Sequence, residues 1–346
     1  MNVISCLKWL PKSYTYADFF QSYIHCTDED ASELDLDEEE EVQRDEITDE
    51  FDLDNYDGDD IPGEQFFTLS NSDEKLIIED PEDVEVAAFP LALEVVPNLP
   101  NYAPLVAAGT YESQIDLWDM RQIDRLDPVM TLGSKKKSQK ESHKDAVQCL
   151  SNSAHVVQLM ASGSADKTVK FKRKDRGRAC FKRVQVQVVQ FSPFDASLLL
   201  TASFDQTAAL CDIRVCKGKT SVTLDSEVES AVWKDVNNIV ISMESGSVVQ
   251  YDIRNEKKLW QLQAHKKACS SVQLVDDIMV TCGLDSKAKV YKITGGTPTK
   301  LASKDLNSGP LFNVTGSPDD KHLMGFGGEQ LVLWDLDTIE NLDSML

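Results

Sequence analysis

Apolar and polar residues alternate through QIDLWDMR, residues 114–121. An acidic residue separates the apolar Ile115 and Leu117, so the stretch is predicted to be a β-strand with one buried face. The alternation stops at Trp118 and Asp119. One ending of this kind says little, whereas a series of endings at regular spacing indicates a repeated architecture.

Similar strand endings recur along the chain. The position of Trp118 is taken in turn by Lys172, Cys211, Tyr251, Tyr291 and Trp334. The successive intervals are 54, 39, 40, 40 and 43 residues. A period near 40 residues with several short strands per unit is typical of the blades of a WD-repeat propeller. The sequence therefore predicts an all-β fold, a WD40 β-propeller of seven blades with a divergent, shortened first blade, and six blades is the alternative.

Polar residues at fixed places in the repeats are predicted to brace single blades. Asp166, Asp205 and Asp285 lie in predicted hairpin turns, and histidines precede two of those repeats. In WD repeats such histidines and aspartates hydrogen-bond with a serine and the tryptophan of the same blade, so we interpret them as structural. The predicted bracing set is Trp118, Asp119, His143, Asp166, Asp205, His265, Asp285, Trp334 and Asp335.

One segment gives the chain its acidity. Between Asp28 and Asp60 there are 19 acidic residues and one basic residue, in a chain whose net charge is −24. Such a segment buries too little apolar surface to offset the entropy of ordering. We therefore predict residues 1–25 as an N-terminal propeller strand, 26–63 as a disordered acidic insertion and 64–346 as the propeller. ISCLKWLPK, GEQFFTL, EKLIIED and DVEVAAF are the candidate strands of the first blade.

The acidic insertion is interpreted as a binding segment for a basic protein partner. Its candidate contact residues are Asp35, Asp37, Glu38, Glu39, Glu40 and Glu41. A dense run of carboxylates attracts basic tails over several ångströms. The alternative is a loop that only increases solubility.

Two basic runs are candidate RNA contacts. The first lies in the connection after the blade that ends at Trp118, and the second lies at a turn between a third and a fourth strand. The first consists of Lys135, Lys136, Lys137 and Lys140, and the second of Lys172, Arg173, Lys174, Arg176 and Arg178. Cationic side chains in such loops can neutralise RNA phosphates. Solvated loops, or a nuclear-import signal in the first run, are the alternatives.

Other features of the sequence argue against several functional classes. The eight cysteines form no C-x-x-C pair and no cluster, so we expect reduced core residues and no metal site. The first residues lack the apolar core of a secretory signal, and no apolar window is long enough to span a membrane. The sequence contains no motif of a nucleotide-binding loop, a hydrolase or a metalloprotease. We expect an intracellular protein that is not an enzyme and binds no cofactor.

Arginines that follow three strand endings offer another interpretation. WDMR, CDIR and YDIR place Arg121, Arg214 and Arg254 two residues after an aspartate. This loose pattern resembles the W-D-x-R box of substrate receptors for cullin-type ubiquitin ligases. A ubiquitin-ligase substrate receptor is therefore an alternative function.

Longer blocks of the sequence resemble the periodic tryptophan protein 1 family. ISCLKWLP, an acidic insertion, GEQFFTL, AAFPLALEVVP and IDLWDMRQIDRLDPVMTLGSKKK follow one another as in that family. HKDAV, ASGSADKTV, VQFSPFDASLLLTASFDQTAALCDIR and GFGGEQLVLWDLD continue the order, and the most specific block runs from Leu126 to Lys137. The chain departs from the family between Glu74 and Phe89, where about a strand pair is missing, and at Lys172, where the family has tryptophan.

The resemblance implies a nuclear and nucleolar WD-repeat scaffold of ribosome biogenesis. It implies a role in large-subunit precursor assembly, rRNA maturation and rDNA chromatin, with pre-ribosomal proteins and rRNA as partners. A histone-binding chaperone is a further alternative. We expect a monomer that acts within a larger assembly and has no contact with a membrane.

Overall fold

A computed structural model describes most of the repeated part of the chain. The described residues are 8, 67–68, 89–96, 105–119, 127–133, 142–156, 159–173, 176–182, 185–215 and 217–339. Residues 1–12 and 66–346 constitute one compact unit. The predicted domain boundaries near residues 25 and 63 lie outside the described residues and stay a prediction.

Six four-stranded sheets, the blades, make up the described part of the chain. Blade 1 contains β2 (Pro90–Val96), β3 (Leu105–Thr110), β4 (Ile115–Asp119) and β5 (Met130–Leu132), and blade 2 contains β6 (Val147–Asn152), β7 (Met160–Ser164), β8 (Thr168–Arg173) and β9 (Arg176–Lys182). Blade 3 contains β10 (Val186–Phe191), β11 (Leu198–Ser203), β12 (Thr207–Asp212) and β13 (Lys217–Thr223), and blade 4 contains β14 (Val228–Trp233), β15 (Asn238–Met243), β16 (Ser247–Asp252) and β17 (Lys257–Gln263). Blade 5 contains β18 (Ser271–Val275), β19 (Ile278–Cys282), β20 (Lys287–Lys292) and β21 (Thr299–Asp305), and blade 6 contains β22 (Asn313–Gly316), β23 (Leu323–Gly327), β24 (Leu331–Asp335) and β1 (Phe67–Thr68).

The burial pattern of the strands follows from their position in a blade. Second strands are almost fully buried, and β11, LLLTAS, is buried at every residue, because neighbouring blades cover both of their faces. The outer strand β17, KKLWQLQ, buries only Trp260 fully. Apolar residues of adjacent blades form joint cores, as Leu200 of blade 3 and Trp233 of blade 4 do. Each blade is therefore stabilised by burying its faces against its neighbours.

The blades are arranged around their first strands. β2 packs against β6, β6 against β10, β10 against β14, β14 against β18 and β18 against β22. Because the strands within a blade alternate in direction, the turns between second and third strands share one edge with the connections between blades. We call this the upper edge. The turns between first and second and between third and fourth strands form the lower edge.

The all-β WD40 propeller predicted from the sequence is confirmed, and six blades are described. The segments predicted to form the divergent first blade, which would add a seventh sheet before the one numbered blade 1 here, lie largely outside the described part. The seven-blade ring therefore stays a prediction. Phe67–Thr68 of GEQFFTL differs from expectation: it pairs in parallel with β24, through Phe67↔Val332 and Thr68↔Leu333, as the outer strand of blade 6. The 3-10 turn Leu336–Thr338 follows β24 directly, which leaves the edge of that strand available for β1. No helix in the described part is long and apolar enough to cross a membrane.

Candidate functional site

His265 braces blade 5 at the upper edge with both ring nitrogens. Nδ1 lies 2.7 Å from Oδ1 of Asp285, and Nε2 lies 2.9 Å from Oγ1 of Thr281. The other Asp285 oxygen accepts from the backbone N–H of Lys266 at 3.2 Å. Burial lowers the pKa of His265, although the hydrogen bond and charge of Asp285 act to raise it. The neutral ring thus donates through Nδ1–H to the aspartate and accepts the threonine hydroxyl at Nε2.

His143 makes the corresponding brace in blade 2. Nδ1 lies 3.1 Å from Oδ2 of Asp166, and Nε2 lies 2.8 Å from Oγ of Ser162. Asp166 also accepts from the backbone N–H of Thr168 at 2.9 Å, from its hydroxyl at 2.6 Å, and from the N–H of Lys144 at 3.0 Å. Burial raises the pKa of Asp166, but the hydrogen bonds from His143 and Thr168 outweigh it and hold that pKa well below the usual range. The aspartate therefore fixes both its own turn and the histidine.

Asp205 occupies the same turn position in blade 3 but makes a smaller set of contacts. It accepts from the backbone N–H of Thr207 at 3.0 Å and from the hydroxyl of the same residue. No histidine in the described residues bonds to it. Asp205 therefore closes a local turn, whereas Asp166 and Asp285 connect two segments that are distant in sequence.

The two tryptophans at strand endings stay outside the histidine networks, which differs from expectation. Nε1 of Trp334 donates to Oγ1 of Thr338 at 3.3 Å, and Asp335 caps the 3-10 turn that follows. Trp118 is buried, and its Nε1 has no hydrogen-bond partner in the described part of the chain. Asp119 beside it is also buried. The two blades that have histidine braces carry Lys172 and Tyr291 at the tryptophan position. Neither blade therefore has the full WD-repeat set of histidine, aspartate, serine or threonine, and tryptophan.

Two lysines that the sequence reasoning missed, the buried Lys170 and the half-buried Lys289, support the histidine braces. Lys170 and Lys289 each lie two residues before a strand ending, and their ammonium groups donate to the carbonyl oxygens of Ser142 and Ala264. Each of these carbonyls belongs to the residue directly before a bracing histidine. Burial lowers the pKa of both lysines. Their signal in the sequence is a lysine at the same place in both repeats that contain the histidine.

The inner strands of all six blades line a central channel of about 740 Å³. Its wall combines apolar side chains with the carboxylates of Glu94 and Glu229 and with several amides and hydroxyls. Lys8 is the one cation among the described lining residues, and its Nζ lies 2.7 Å from Oε2 of Glu94. The other oxygen of Glu94 accepts from the backbone N–H of Asn152 at 3.1 Å. The carboxylate of Glu94 is thus paired within the chain.

β-Bulges direct one residue of each of four inner strands into the channel. In blades 1 to 4 the pairing of the first with the second strand skips the second residue of the inner strand. The skipped residues are Leu91, Gln148, Gln187 and Glu229, and all four line the channel. A bulge leaves its extra residue unpaired and re-aims the side chain. The channel therefore carries a built set of side chains toward its upper end, which the alternation of residues did not predict.

Most residues predicted to bind a macromolecule lie outside the described part of the chain. This holds for Asp35, Asp37 and the four glutamates Glu38–Glu41, for Lys135–Lys137 and Lys140, and for Lys174 and Arg121. Lys172 and Arg173 end β8, and Arg176 and Arg178 lie in β9, with the backbone pairs Lys172↔Gly177 and Arg173↔Arg176. The described residues of the second basic run therefore flank the connection between the third and fourth strands of blade 2, and the binding role of the run stays a prediction.

The other arginines of the W-D-x-R pattern are paired within their own turns. Nη2 of Arg214 lies 2.6 Å from Oδ2 of Asp212, and Nε of Arg254 lies 3.6 Å from Oδ1 of Asp252. Both arginine side chains remain mostly exposed, at 72% and 64%. The pattern thus has a local explanation as an aspartate–arginine pair that closes a turn.

The cysteines in the described strands are buried and in the thiol form, namely Cys149, Cys211, Cys269 and Cys282. Burial raises the pKa of Cys149 and of Cys282 to about 12. Within the described ranges, no group of three or more His, Cys, Asp or Glu side chains is placed to hold a metal ion. These thiols are packing residues in the positions shown.

The repeated blades and the comparisons with known proteins define a WD40-repeat propeller. The family model of the WD domain, G-beta repeat, matches residues 134–171, which include the first two strands of blade 2 and most of the third. The crystal structure of the WD40 β-propeller domain of Doa1 matches with a TM-score of 0.55 and 18% identity, over 66% of this chain and 73% of that chain. This likeness shows the fold.

Curated relatives confirm the resemblance to one family within this class. The chain is 28% identical over 336 residues to periodic tryptophan protein 1 of Saccharomyces cerevisiae, covering 81% of this chain and 58% of the relative. It is 28% identical over 270 residues to the periodic tryptophan protein 1 homolog of Drosophila melanogaster, covering 72% and 59%. Over most of its length the chain is therefore similar to periodic tryptophan protein 1. It spans about three fifths of the length of these two relatives.

Proposed function

We propose that the protein is a non-catalytic scaffold of ribosome biogenesis. In this proposal it acts in the nucleus and nucleolus, on precursors of the large subunit and on rRNA maturation. The observation that carries the proposal is the similarity to periodic tryptophan protein 1 over 81% of the chain. The resemblance to this family implies the role, and the positions of the histidines and of the charged segments support it.

The placement of the histidines supports a binding role over a catalytic one. The side chains of His143 and His265 are fully buried, and both ring nitrogens of each are engaged inside a blade. A general acid or base has to reach the reacting group of a substrate. These two histidines instead hold the upper-edge turns in place, and turns on a rigid ring are suited to binding partners.

The chain has basic runs and an acidic segment, which are complementary in charge to the RNA and to the basic proteins of a pre-ribosome. In the proposal, the basic run around the β8–β9 turn contacts rRNA phosphates from the lower edge. The acidic segment between Asp28 and Asp60 holds basic ribosomal proteins, or histones, before or during assembly. These two elements would allow one protein to contact both components of a ribonucleoprotein.

The second candidate function is a substrate receptor of a cullin-type ubiquitin ligase. The exposed guanidinium groups of Arg214 and Arg254 on the lower edge favour it. Their pairing with Asp212 and Asp252 argues in the other direction, because a turn-closing role accounts for the same residues. We therefore place it behind the scaffold proposal.

Affinity purification of the tagged full-length protein separates these functions. We expect pre-ribosomal proteins of the large subunit and precursor rRNA by mass spectrometry and RNA sequencing. An Arg214→Ala, Arg254→Ala double variant should recover the same set, because these arginines close turns. Cullin subunits that depend on the two arginines, with no precursor rRNA, would replace the scaffold proposal with the adaptor. Histones alone would replace it with the chaperone.

A further inference from the structure

Glu229 occupies a special position at the upper end of the channel. It is the second residue of β14, where pairing with β15 passes from Val228↔Met243 directly to Ser230↔Ser242. The bulge turns Glu229 into the channel, whose lining it joins. Gln148 and Gln187 hold the equivalent bulge positions in the two preceding blades. Three neighbouring blades therefore present one carboxylate and two amides at the same height.

Several oxygen atoms of the channel wall have neither a cation nor a hydrogen-bond donor among the described residues. Lys8 already neutralises Glu94, with 2.7 Å between Nζ and Oε2. No hydrogen bond or ion pair joins the carboxylate of Glu229 to another side chain that the structure describes. Three further lining oxygens, Oε1 of Gln148, Oδ1 of Asn152 and Oε1 of Gln190, are buried and lack a partner among the described residues. Unsatisfied buried acceptors are rare in folded proteins, so these oxygens are expected to accept from water or from a guest in the channel.

The electrostatic surroundings of Glu229 favour a positive guest. Burial raises its pKa, and the charges of Glu244 and Glu227 at the same edge raise it further. A cation next to the carboxylate would offset both effects. Lys8 shows that a long cationic side chain fits against a carboxylate of this channel.

We propose that the upper end of the channel binds the side chain of an arginine or lysine from a basic peptide, with Glu229 as its charge partner. The amide oxygens of Gln148 and Gln187 are the additional acceptors, which suits the several N–H groups of a guanidinium or ammonium group. A channel of about 740 Å³ has ample space for one such side chain. The inference concerns the channel alone and stands whether or not the protein acts on ribosomes.

Peptides with a single charge test the proposal on the full-length protein. The probes are acetyl-Gly-Arg-Gly-amide, its lysine counterpart and its citrulline counterpart, which keeps the shape of arginine without the charge. Binding is measured by ligand-detected NMR and by photo-crosslinking of benzophenone-labelled versions. Because each cationic probe carries only one positive charge, its long-range attraction to the acidic segment between Asp28 and Asp60 is small. We expect the two cationic peptides to bind, the citrulline peptide to bind at least tenfold more weakly, and crosslinks to fall on β6, β10 or β14.

Matched variants make the result specific to the site. Glu229→Gln keeps the shape of the side chain and should weaken the arginine peptide at least tenfold. Glu256→Gln makes the same charge change in blade 4 at an exposed lower-edge turn and should leave binding unchanged. Thermal melts of both variants should show folded protein. Undetectable binding to the wild type, equal binding to Glu229→Gln, or crosslinks confined to residues 28–60 would each overturn the proposal.

Discussion

The histidine brace of blade 5 should be a measurable source of stability. Asp285→Ala removes the acceptor of the Nδ1–H of His265 and of the N–H of Lys266. The backbone N–H can turn to water because Lys266 is exposed, whereas the imidazole is fully buried and keeps an unsatisfied donor. Leaving a buried polar group without a partner costs about 1–3 kcal/mol, and more when the lost bond involved a charge. We expect Asp285→Ala to lower the free energy of unfolding by about 2–3 kcal/mol.

Asp205→Ala is the matched control for this prediction. It removes an aspartate at the same turn position, but the lost bonds go only to Thr207 within the turn. Its expected cost is about 1 kcal/mol, the usual net value of a hydrogen bond near the surface. Urea unfolding followed by tryptophan fluorescence measures both variants. Equal losses, or no loss for Asp285→Ala, would refute the idea that His265 and Asp285 brace the blade.

The pH dependence of the same brace has a defined sign. Because burial lowers the pKa of His265 in the folded protein, the unfolded chain binds the proton first. The stability that depends on the neutral imidazole is full above about pH 6.5, the usual pKa of histidine, and is lost as the pH falls toward the lower folded value. Asp285 affects stability at lower pH. Its pKa is also lowered in the folded protein, so the stability that the ionised carboxylate contributes is full above about pH 4 and is lost as the pH falls below that value. Unfolding curves between pH 7.5 and pH 4 should show a continuous decrease.

Three other predictions concern the channel, the core and the acidic segment. Glu229→Gln should raise the melting temperature at pH 7, because burial and two neighbouring glutamates disfavour the ionised carboxylate. The gain should vanish near pH 4, where the carboxyl group of the wild type is protonated. An unchanged melting temperature at pH 7 would contradict this prediction. Cys149 and Cys282, whose pKa values burial raises to about 12, should resist iodoacetamide at pH 8 until the protein is denatured, as peptide mass spectrometry would show. Deleting residues 28–60 should leave the melting temperature unchanged but reduce the capture of histones and ribosomal proteins. Capture by the full chain should weaken with added salt, since screening acts over about 8 Å at physiological ionic strength.

The strand endings were predictable from the sequence because each blade repeats the same local pattern. The alternation that ends at Trp118 is the third strand of blade 1, and the endings at Tyr251 and Trp334 take the same place in blades 4 and 6. The histidines and turn aspartates were also recognisable, since a His in a blade connection and an Asp about 20 residues later recur together. These features depend on short segments that carry their own signal.

Other parts of the structure depend on pairing between segments, which a local pattern does not reveal. The bulge at Glu229 exists because two residues of β14 oppose one residue of β15, although VESAVW itself contains no glycine or proline. The parallel pairing of Phe67–Thr68 with β24 joins segments far apart in the sequence. Lysine is usually solvent-exposed, yet Lys170 is buried and Lys289 is half-buried, and the ammonium groups of both donate to backbone carbonyl oxygens. Each of these features becomes visible only once the blades are assembled.

The role in ribosome biogenesis is tested most directly by pulse-labelling rRNA after depletion of the protein in the cells that express it. We predict that mature large-subunit rRNA falls and its precursors accumulate, while small-subunit rRNA is made at the normal rate. Restoring the full-length protein should reverse the defect. Normal synthesis of both rRNA classes in depleted cells would contradict the account.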